Sequence, residues 1–304
     1  MDDTGRTQAA PRFLADRQGF FADRQAGDPG LALFLNAGDP PLAVLRDVVH
    51  MLDELGVECL ELAVPFPHSF TDGPVVRRSA TRALDVGVGL PEVLEFLGDV
   101  RSGLRRLRIA LLVDWSHTVR PGGIGEFVAR VSDSAADGVL LHGLPLSLRA
   151  RYYAAAADRA VPVVTTCYPS STDEVRRESA THASAYLYLV AHYGRSGSRP
   201  QGGFDALGAT IDGLRAHTRA PIAVGFGVRS RADLQALAGI GADAAVIGSA
   251  AVECVERAVT GNGDPISELA GFVRALRAAA RPAGHEHVPF RAQHVFEHDQ
   301  VESK

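Results

Sequence analysis

Eight short apolar runs recur along this chain, at residues 31–36, 57–64, 108–113, 138–142, 161–166, 185–190, 221–225 and 243–247. They are apolar almost throughout rather than alternating, the pattern of strands buried on both faces. Between them lie stretches with apolar residues three and four apart, such as Leu42, Leu45, Val48, Val49 and Leu52, the spacing of one helix face. Strands buried on both sides and alternating with helices leave two architectures, a closed (β/α)8 barrel or an open doubly wound sheet. The open sheet calls for a glycine-rich dinucleotide turn after the first strand, and Asn36-Ala37-Gly38-Asp39-Pro40 is not one. The expectation is a single-domain α/β TIM barrel over residues 30–281. Two regions exceed one helix per strand: 75–86 with 91–101, and 250–260 with 266–280, each read as a helix pair. Residues 1–29 are expected to form a helical cap, with Phe13, Leu14, Phe20 and Phe21 covering one end of the core. Residues 282–304, with His285, His287, His294 and His298, read as a polar, solvated tail.

Composition removes several classes of function. A net charge of −5 without a basic stripe argues against nucleic acid. No apolar run approaches the ~20 residues of a membrane span, and the polar N-terminal residues do not resemble a secretory signal. Cys59, Cys167 and Cys254 stand far apart in apolar segments, which suits a reducing cytoplasm better than a disulfide framework. Lys304 is the only lysine among the 31 basic residues. Schiff-base chemistry needs a buried amine, so carbon–carbon cleavage in this barrel has to run on acid–base groups or on a metal.

The anomaly in the strand pattern is Glu61, a carboxylate inside Leu60-Glu61-Leu62-Ala63-Val64. Burying it is costly unless it is paired, hydrogen-bonded or protonated. Eleven positions on, after the break at Pro65-Phe66, Asp72 precedes Gly73-Pro74. A dry carboxyl group at a strand end with a second carboxylate on the next loop forms an acid–base pair. A Glu satisfied by a neighbouring Arg and an Asp capping a helix would fit the same residues. Barrel enzymes bind phosphate after strands 7 and 8, where Gly225-Phe226-Gly227-Val228 and Gly248-Ser249 fall. There backbone N–H groups and a helix dipole can meet an anion, and Gly194-Arg195-Ser196-Gly197 is placed to close a third side. Barrels also use glycine simply for tight turns. His68, His117, His142 and His192 all fall at strand ends. Three imidazoles converging there would suit a divalent metal, but no two of them have ligand-like spacing, and the reading adopted is no metal and no cofactor.

Glu61-Leu62-Ala63-Val64-Pro65-Phe66 with Asp72-Gly73-Pro74 resembles the tryptophan synthase α subunit family, including its free-standing indole-3-glycerol-phosphate lyase relatives. Gly38-Asp39-Pro40, Tyr186-Leu187-Tyr188-Leu189, Gly225-Phe226-Gly227 and Gly248-Ser249 support the resemblance, which runs from about Phe34 to Val255. It implies retro-aldol cleavage of indole-3-glycerol phosphate to indole and glyceraldehyde 3-phosphate. It further implies that Glu61 protonates the indole, Asp72 holds the ring N–H and Tyr188 positions Glu61. Phe34 would wall the ring, and Gly197, Gly227, Gly248 and Ser249 would take the phosphate.

The rim departs from the family pattern. Pro67-His68-Ser69-Phe70-Thr71 replaces the usual Ser-Asp-Pro-Leu-Ala, losing an acidic contact toward a β subunit. Asp114-Trp115 stand where a Tyr is common, Gly143 after His142 replaces a substrate-binding Asp, and Ala191-His192-Tyr193-Gly194 replaces Ser-Arg-Ser-Gly. Asp114 is therefore a candidate for a lost hydrogen bond to the glycerol hydroxyls or the indole N–H, and the ring of the substrate is itself in question. The expectation is a free-standing lyase for an indolyl glycerol phosphate, not requiring a β subunit, with Pro67 stiffening the second loop and Phe70 anchoring it. The rivals are a weakly active α-type subunit that activates a β subunit, and a phosphosugar aldolase or isomerase, metal-dependent or not.

Overall fold

A computed structural model describes residues 19–24, 27–191 and 204–278. Expectations for Phe13, Leu14, the 194–197 loop with Gly197, His192 and the 282–304 tail lie outside those residues. Eight parallel strands close into a barrel in sequence order: β1 Gly30–Asn36, β2 Cys59–Ala63, β3 Arg108–Asp114, β4 Gly138–His142, β5 Val163–Cys167, β6 Tyr186–Val190, β7 Ile222–Gly225 and β8 Ala244–Ile247. β1 closes the ring on β8, with Gly30 opposite Ala244. The chain is thus a (β/α)8 TIM barrel. β5 begins two residues later than the apolar run suggested, because Pro162 has no N–H to give the ladder; its carbonyl still accepts from the Val139 N–H at 2.9 Å.

The helices are α1 Leu42–Glu54, α2 Pro74–Asp85, α3 Leu90–Arg101, α4 Gly123–Ser132, α5 Leu146–Asp158, α6 Asp173–His182, α7 Gly208–Arg215, α8 Arg231–Gly239, α9 Ser249–Thr260 and α10 Pro265–Arg277. The expected extra pairs are α2 with α3 and α9 with α10. Proline opens α2, α3 and α10 within their first two positions, where its missing N–H would have had no partner in any case.

Two apolar cores result. The larger lies between the barrel and its helices. The smaller fills the barrel interior below the site, and its composition is uneven. Ala32, Cys59, Ala110, Ala223 and Ala244 contribute small side chains from five strands, and the space they leave is taken by the ring of Tyr186. Phe20 and Phe21, in a turn rather than a helix at residues 20–23, plug this end. Their ring centroids lie 5.3 and 5.4 Å from that of Tyr186, both tilted or edge-on, the arrangement aromatic quadrupoles favour. Gly30 permits the plug, since a Cβ there would come within 2.7 Å of the Phe21 ring.

Phe21→Ala empties this end of the barrel. Loss of a fully buried aromatic costs about 3–5 kcal/mol, so the guanidinium unfolding midpoint falls with little change in slope. An unchanged midpoint would show that the plug contributes nothing to stability.

Candidate active site

Glu61 points into the barrel from β2 and is 1% exposed. The Tyr186 hydroxyl donates to its Oε1 at 2.6 Å, a length typical of an O–H donor meeting a carboxylate, and the Cys59 thiol is in turn hydrogen-bonded to Tyr186. Burial pushes Glu61 up to about 7, with the Tyr186 hydrogen bond opposing that rise. A carboxyl group so placed carries a proton near neutrality and can also give it up, the property required of a general acid that later serves as base. No arginine is needed to satisfy it, which disposes of the paired-Glu alternative.

The positioning tyrosine is a correction. Tyr188 was expected to hold Glu61, but the hydroxyl on the carboxylate is that of Tyr186. Tyr188, two residues further along the same inward face of β6, lines the cavity wall. Its hydroxyl lies where a Cβ on Gly225 would be, at 2.5 Å, so β7 needs glycine at that point. Tyr186 was present in the quoted motif; the period of two that turns both tyrosines inward was the signal for it.

Asp72 comes from the loop between β2 and α2 and faces the same cavity as Glu61. Burial raises its carboxyl above the ordinary aspartate value, while a Ser69 hydrogen bond and the His142 and Arg77 charges pull it down. The loop is fixed at its far end by Asn36, whose amide donates to the Val76 carbonyl at 3.2 Å and to Ser79 Oγ at 3.0 Å. Buried Ser69, not Phe70, is the inward residue of the loop: Phe70 is 92% exposed, so the expected apolar anchor is not made.

Asp114 is also placed differently from the expected ligand role. Its Oδ2 accepts from the His117 backbone N–H at 2.9 Å and lies 2.8 Å from His117 Nδ1. The carboxylate thereby caps the single π-helical turn Trp115–Val119 that follows β3, and Asp114 is not among the side chains lining the cavity. Of the strand-end histidines, His117 and His142 both stack near-parallel to Phe66, with centroids 6.0 and 6.1 Å away. His68 is exposed. Among the described residues no three His, Cys, Asp or Glu side chains gather so as to hold a metal, and no helix is long and apolar enough to cross a membrane.

The remaining expected residues follow round the barrel from Glu61, through β1 to the turns after β8 and β7. Phe34 of β1, Gly227, Gly248 and Ser249 line the cavity together with Glu61 and Asp72. Phe226 and Gly227 both have positive φ, 79° and 87°. For a phenylalanine this is a sparsely populated conformation, of the kind stored at ligand-binding turns. Gly248 precedes α9 without any side-chain cap, so the first N–H groups and positive dipole end of that helix are open to an anion. Asn36, Phe66, Thr166 and Tyr168, which the sequence reading did not single out, also line the cavity, with apolar side chains such as Leu112, Leu140 and Val246 between them.

The tryptophan synthase alpha chain family model matches residues 20–281. The alpha chain of Yersinia pseudotuberculosis is 32% identical over 248 residues, covering 82% of this chain and 92% of that one. The alpha chain of Synechocystis is 32% identical over 260 residues, covering 86% and 97%. Among solved structures, a tryptophan synthase α-subunit from Pyrococcus furiosus superposes with a TM-score of 0.73 at 26% identity, over 82% of this chain and 98% of that chain. The same organism's α2β2 complex, described in terms of mutual activation, superposes with a TM-score of 0.72 at 26% identity and the same coverage.

The geometry fixes the sign of one titration. Tyr186 donates to the ionised form of Glu61, so Tyr186→Phe raises the Glu61 pKa above its value of about 7. Difference infrared spectroscopy of the carboxyl stretch, with Glu61→Gln as the blank, reads it directly. A shift downward, or none, would mean that the hydrogen bond does not stabilise the carboxylate.

Proposed function

The chain belongs to the tryptophan synthase alpha chain family, and from that premise we propose that it is a lyase releasing indole, or a ring-modified indole, and glyceraldehyde 3-phosphate from the corresponding indolyl glycerol phosphate. The observation that carries the reading is Glu61: a carboxyl group buried in the barrel, held by Tyr186 and poised at about 7. It faces one cavity with Asp72 and with the open N-terminus of α9.

The steps balance as one proton given and one taken. Glu61 delivers its proton to carbon 3 of the ring, and Asp72 accepts the ring N–H and stabilises the resulting cation. Glu61, now ionised, removes the proton of the hydroxyl on the adjacent side-chain carbon. The electron pair of that O–H bond becomes the carbonyl bond of glyceraldehyde 3-phosphate. The pair of the breaking carbon–carbon bond returns to the ring and restores its aromaticity. Phe34 walls the ring, and Gly227, Gly248 and Ser249 receive the phosphate through backbone N–H groups and the α9 dipole. The chemistry calls on no lysine, cofactor or metal.

We further propose that the chain acts without a β subunit and in the cytoplasm. Both carboxylates belong to one chain, and Asp72 is already drawn into the cavity by Ser69. The three buried cysteines are free thiols, which suits a reducing compartment. A second reading has its own support. Phe70 is 92% exposed and Leu146 67% exposed, apolar groups that a partner would cover, and the Pyrococcus furiosus relative works within an α2β2 complex.

Purified wild-type chain, treated with chelator and incubated with indole-3-glycerol phosphate, is expected to release free indole. Glu61→Gln keeps the fold and lowers the rate by at least ~10²-fold, the low end of what a positioned acid–base group supplies. Cleavage by that variant within a few-fold of wild type would remove Glu61 from the mechanism. A rate negligible alone and raised ~10-fold or more by a β subunit, about 1.4 kcal/mol of barrier, would establish the partner-dependent reading instead.

A further inference from the structure

Two carboxyl groups, Glu61 and Asp72, face the cavity, and the proposed chemistry requires them to differ in charge. Glu61 has to carry a proton, while Asp72 has to be ionised to hold the ring N–H and stabilise the cation. Burial raises both groups, so it serves the first and opposes the second. A local positive charge is what favours the ionised form of one carboxyl group over the other.

Among the described residues lining the cavity, His142 is the only basic side chain. It ends β4, and its ring lies near-parallel to that of Phe66, with centroids 6.1 Å apart. Phe66 lies on the same loop as Asp72, so the stack holds the imidazole against that loop. The other charged groups around His142 are already engaged. Asp114, opposite it in the β3–β4 register, is taken up by His117. Arg149 of α5, which borders a second cavity together with His142, is paired with Glu178 at 3.0 Å. Tyr153 of α5 and Tyr168 beyond β5 are phenols, uncharged near neutrality. No hydrogen bond to the His142 ring is formed among the described residues. On the other side, Asp72 meets a Ser69 hydrogen bond and the charges of His142 and of Arg77 on α2. Arg77 does not line the cavity, and the remaining titratable groups facing Asp72 there are Glu61 and Tyr188.

We propose that His142 is a positioning residue for Asp72: an imidazolium at the tip of β4, held flat against Phe66, that keeps the Asp72 carboxylate ionised inside the cavity. The inference rests on the proposed lyase reading for what Asp72 does, and it adds a residue that acts through Asp72 rather than on the substrate. The sign follows from histidine chemistry. An imidazole changes charge between about pH 5 and 8, so its help is present on the acid side, where Asp72 needs it. It fades as pH rises and Asp72 stays ionised unaided. A ring entering the cavity displaces water, and the attraction between the two groups strengthens as the local dielectric falls.

Two uncharged replacements test the pairing. His142→Phe keeps a flat ring for the Phe66 stack, and His142→Leu removes the ring as well. Difference infrared spectroscopy of the full chain, with Asp72→Asn as the blank in each background, reads the Asp72 titration without turnover. The midpoint is expected to rise by ~0.5 pH unit or more in both variants, below the full effect of an opposite charge in direct contact. The acidic limb of kcat on indole-3-glycerol phosphate should move up with it, the rates of variant and wild type converging toward neutrality. A replacement that disturbs the circular dichroism spectrum is set aside and the other is read alone. A midpoint unmoved or lowered in a folded variant, or a rate lowered equally at every pH, overturns the inference and leaves His142 a packing residue. A raised midpoint with no cleavage by any protein, wild type included, would sink the lyase reading and keep the pairing; cleavage by wild type with an unmoved midpoint would do the reverse.

Discussion

The hydrogen bond from Tyr186 to Glu61 is the interaction on which the rest of the site depends. A carboxyl group inside a barrel is unstable as an anion unless something donates to it, and inert as an acid if it is bound too well. One phenol hydroxyl at 2.6 Å sets a middle position: burial raises the group and the donor restrains it, to about 7. That donor can be in place only because the barrel below is built around it. Four alanines and Cys59 make room for the Tyr186 ring, and Phe20 and Phe21 hold the ring from beneath. The carboxyl group at the top of the barrel is thus tuned by packing at the bottom, through a side chain that touches both.

The same economy governs the second carboxylate. Asp72 lies on a loop, where mobility is the default, yet its two flanks are tied. Ser69 bonds it directly, and Asn36 pins the first turn of α2 to the end of β1. Arg82 of α2 then bridges Asp39 after β1 and Glu256 of α9, at 2.7 and 3.0 Å. The helix that follows the Asp72 loop is therefore coupled to the helix whose N-terminus faces the cavity. A one-sided pairing would fix only one of the two.

The barrel was legible in the sequence because strands buried on both faces leave unbroken apolar runs, and Glu61 because it violates such a run. Asp72 and the glycines after β7 and β8 followed from the resemblance and from where barrels place chemistry. What was not legible depends on depth and on local competition. Alternation turns Tyr186 and Tyr188 inward alike, and which hydroxyl meets Glu61 is decided by the Phe20–Phe21 plug and by small residues on five other strands, none of them near β6 in sequence. Asp114 could have faced the pocket or capped the next turn. The backbone N–H of His117 and its Nδ1 are nearer and fixed, and they take the carboxylate. Phe70 looked like an anchor by composition, but with φ of +60° at His68 the chain reverses so that Ser69 turns in and Phe70 turns out.

These displacements share a direction. Where the family commonly presents an Asp after strand 4, this chain has Gly143, with φ of +72°. Its missing Cβ leaves space that Asp114 Oδ1 borders, 3.4 Å from where that atom would be. Asp114 itself is held by the π-helical turn, and His142, one residue before Gly143, lines the cavity and stacks on Phe66. The rim here is aromatic and imidazole, with Phe66 near-parallel to His117 and to His142. Glu61 and the N-terminus of α9 depend on deep packing and backbone, which resist change. The ring-facing wall depends on side chains at strand tips, which can be exchanged without disturbing the barrel. The ends of β3 and β4, with Asp114-Trp115 and His142-Gly143, are tips of that kind.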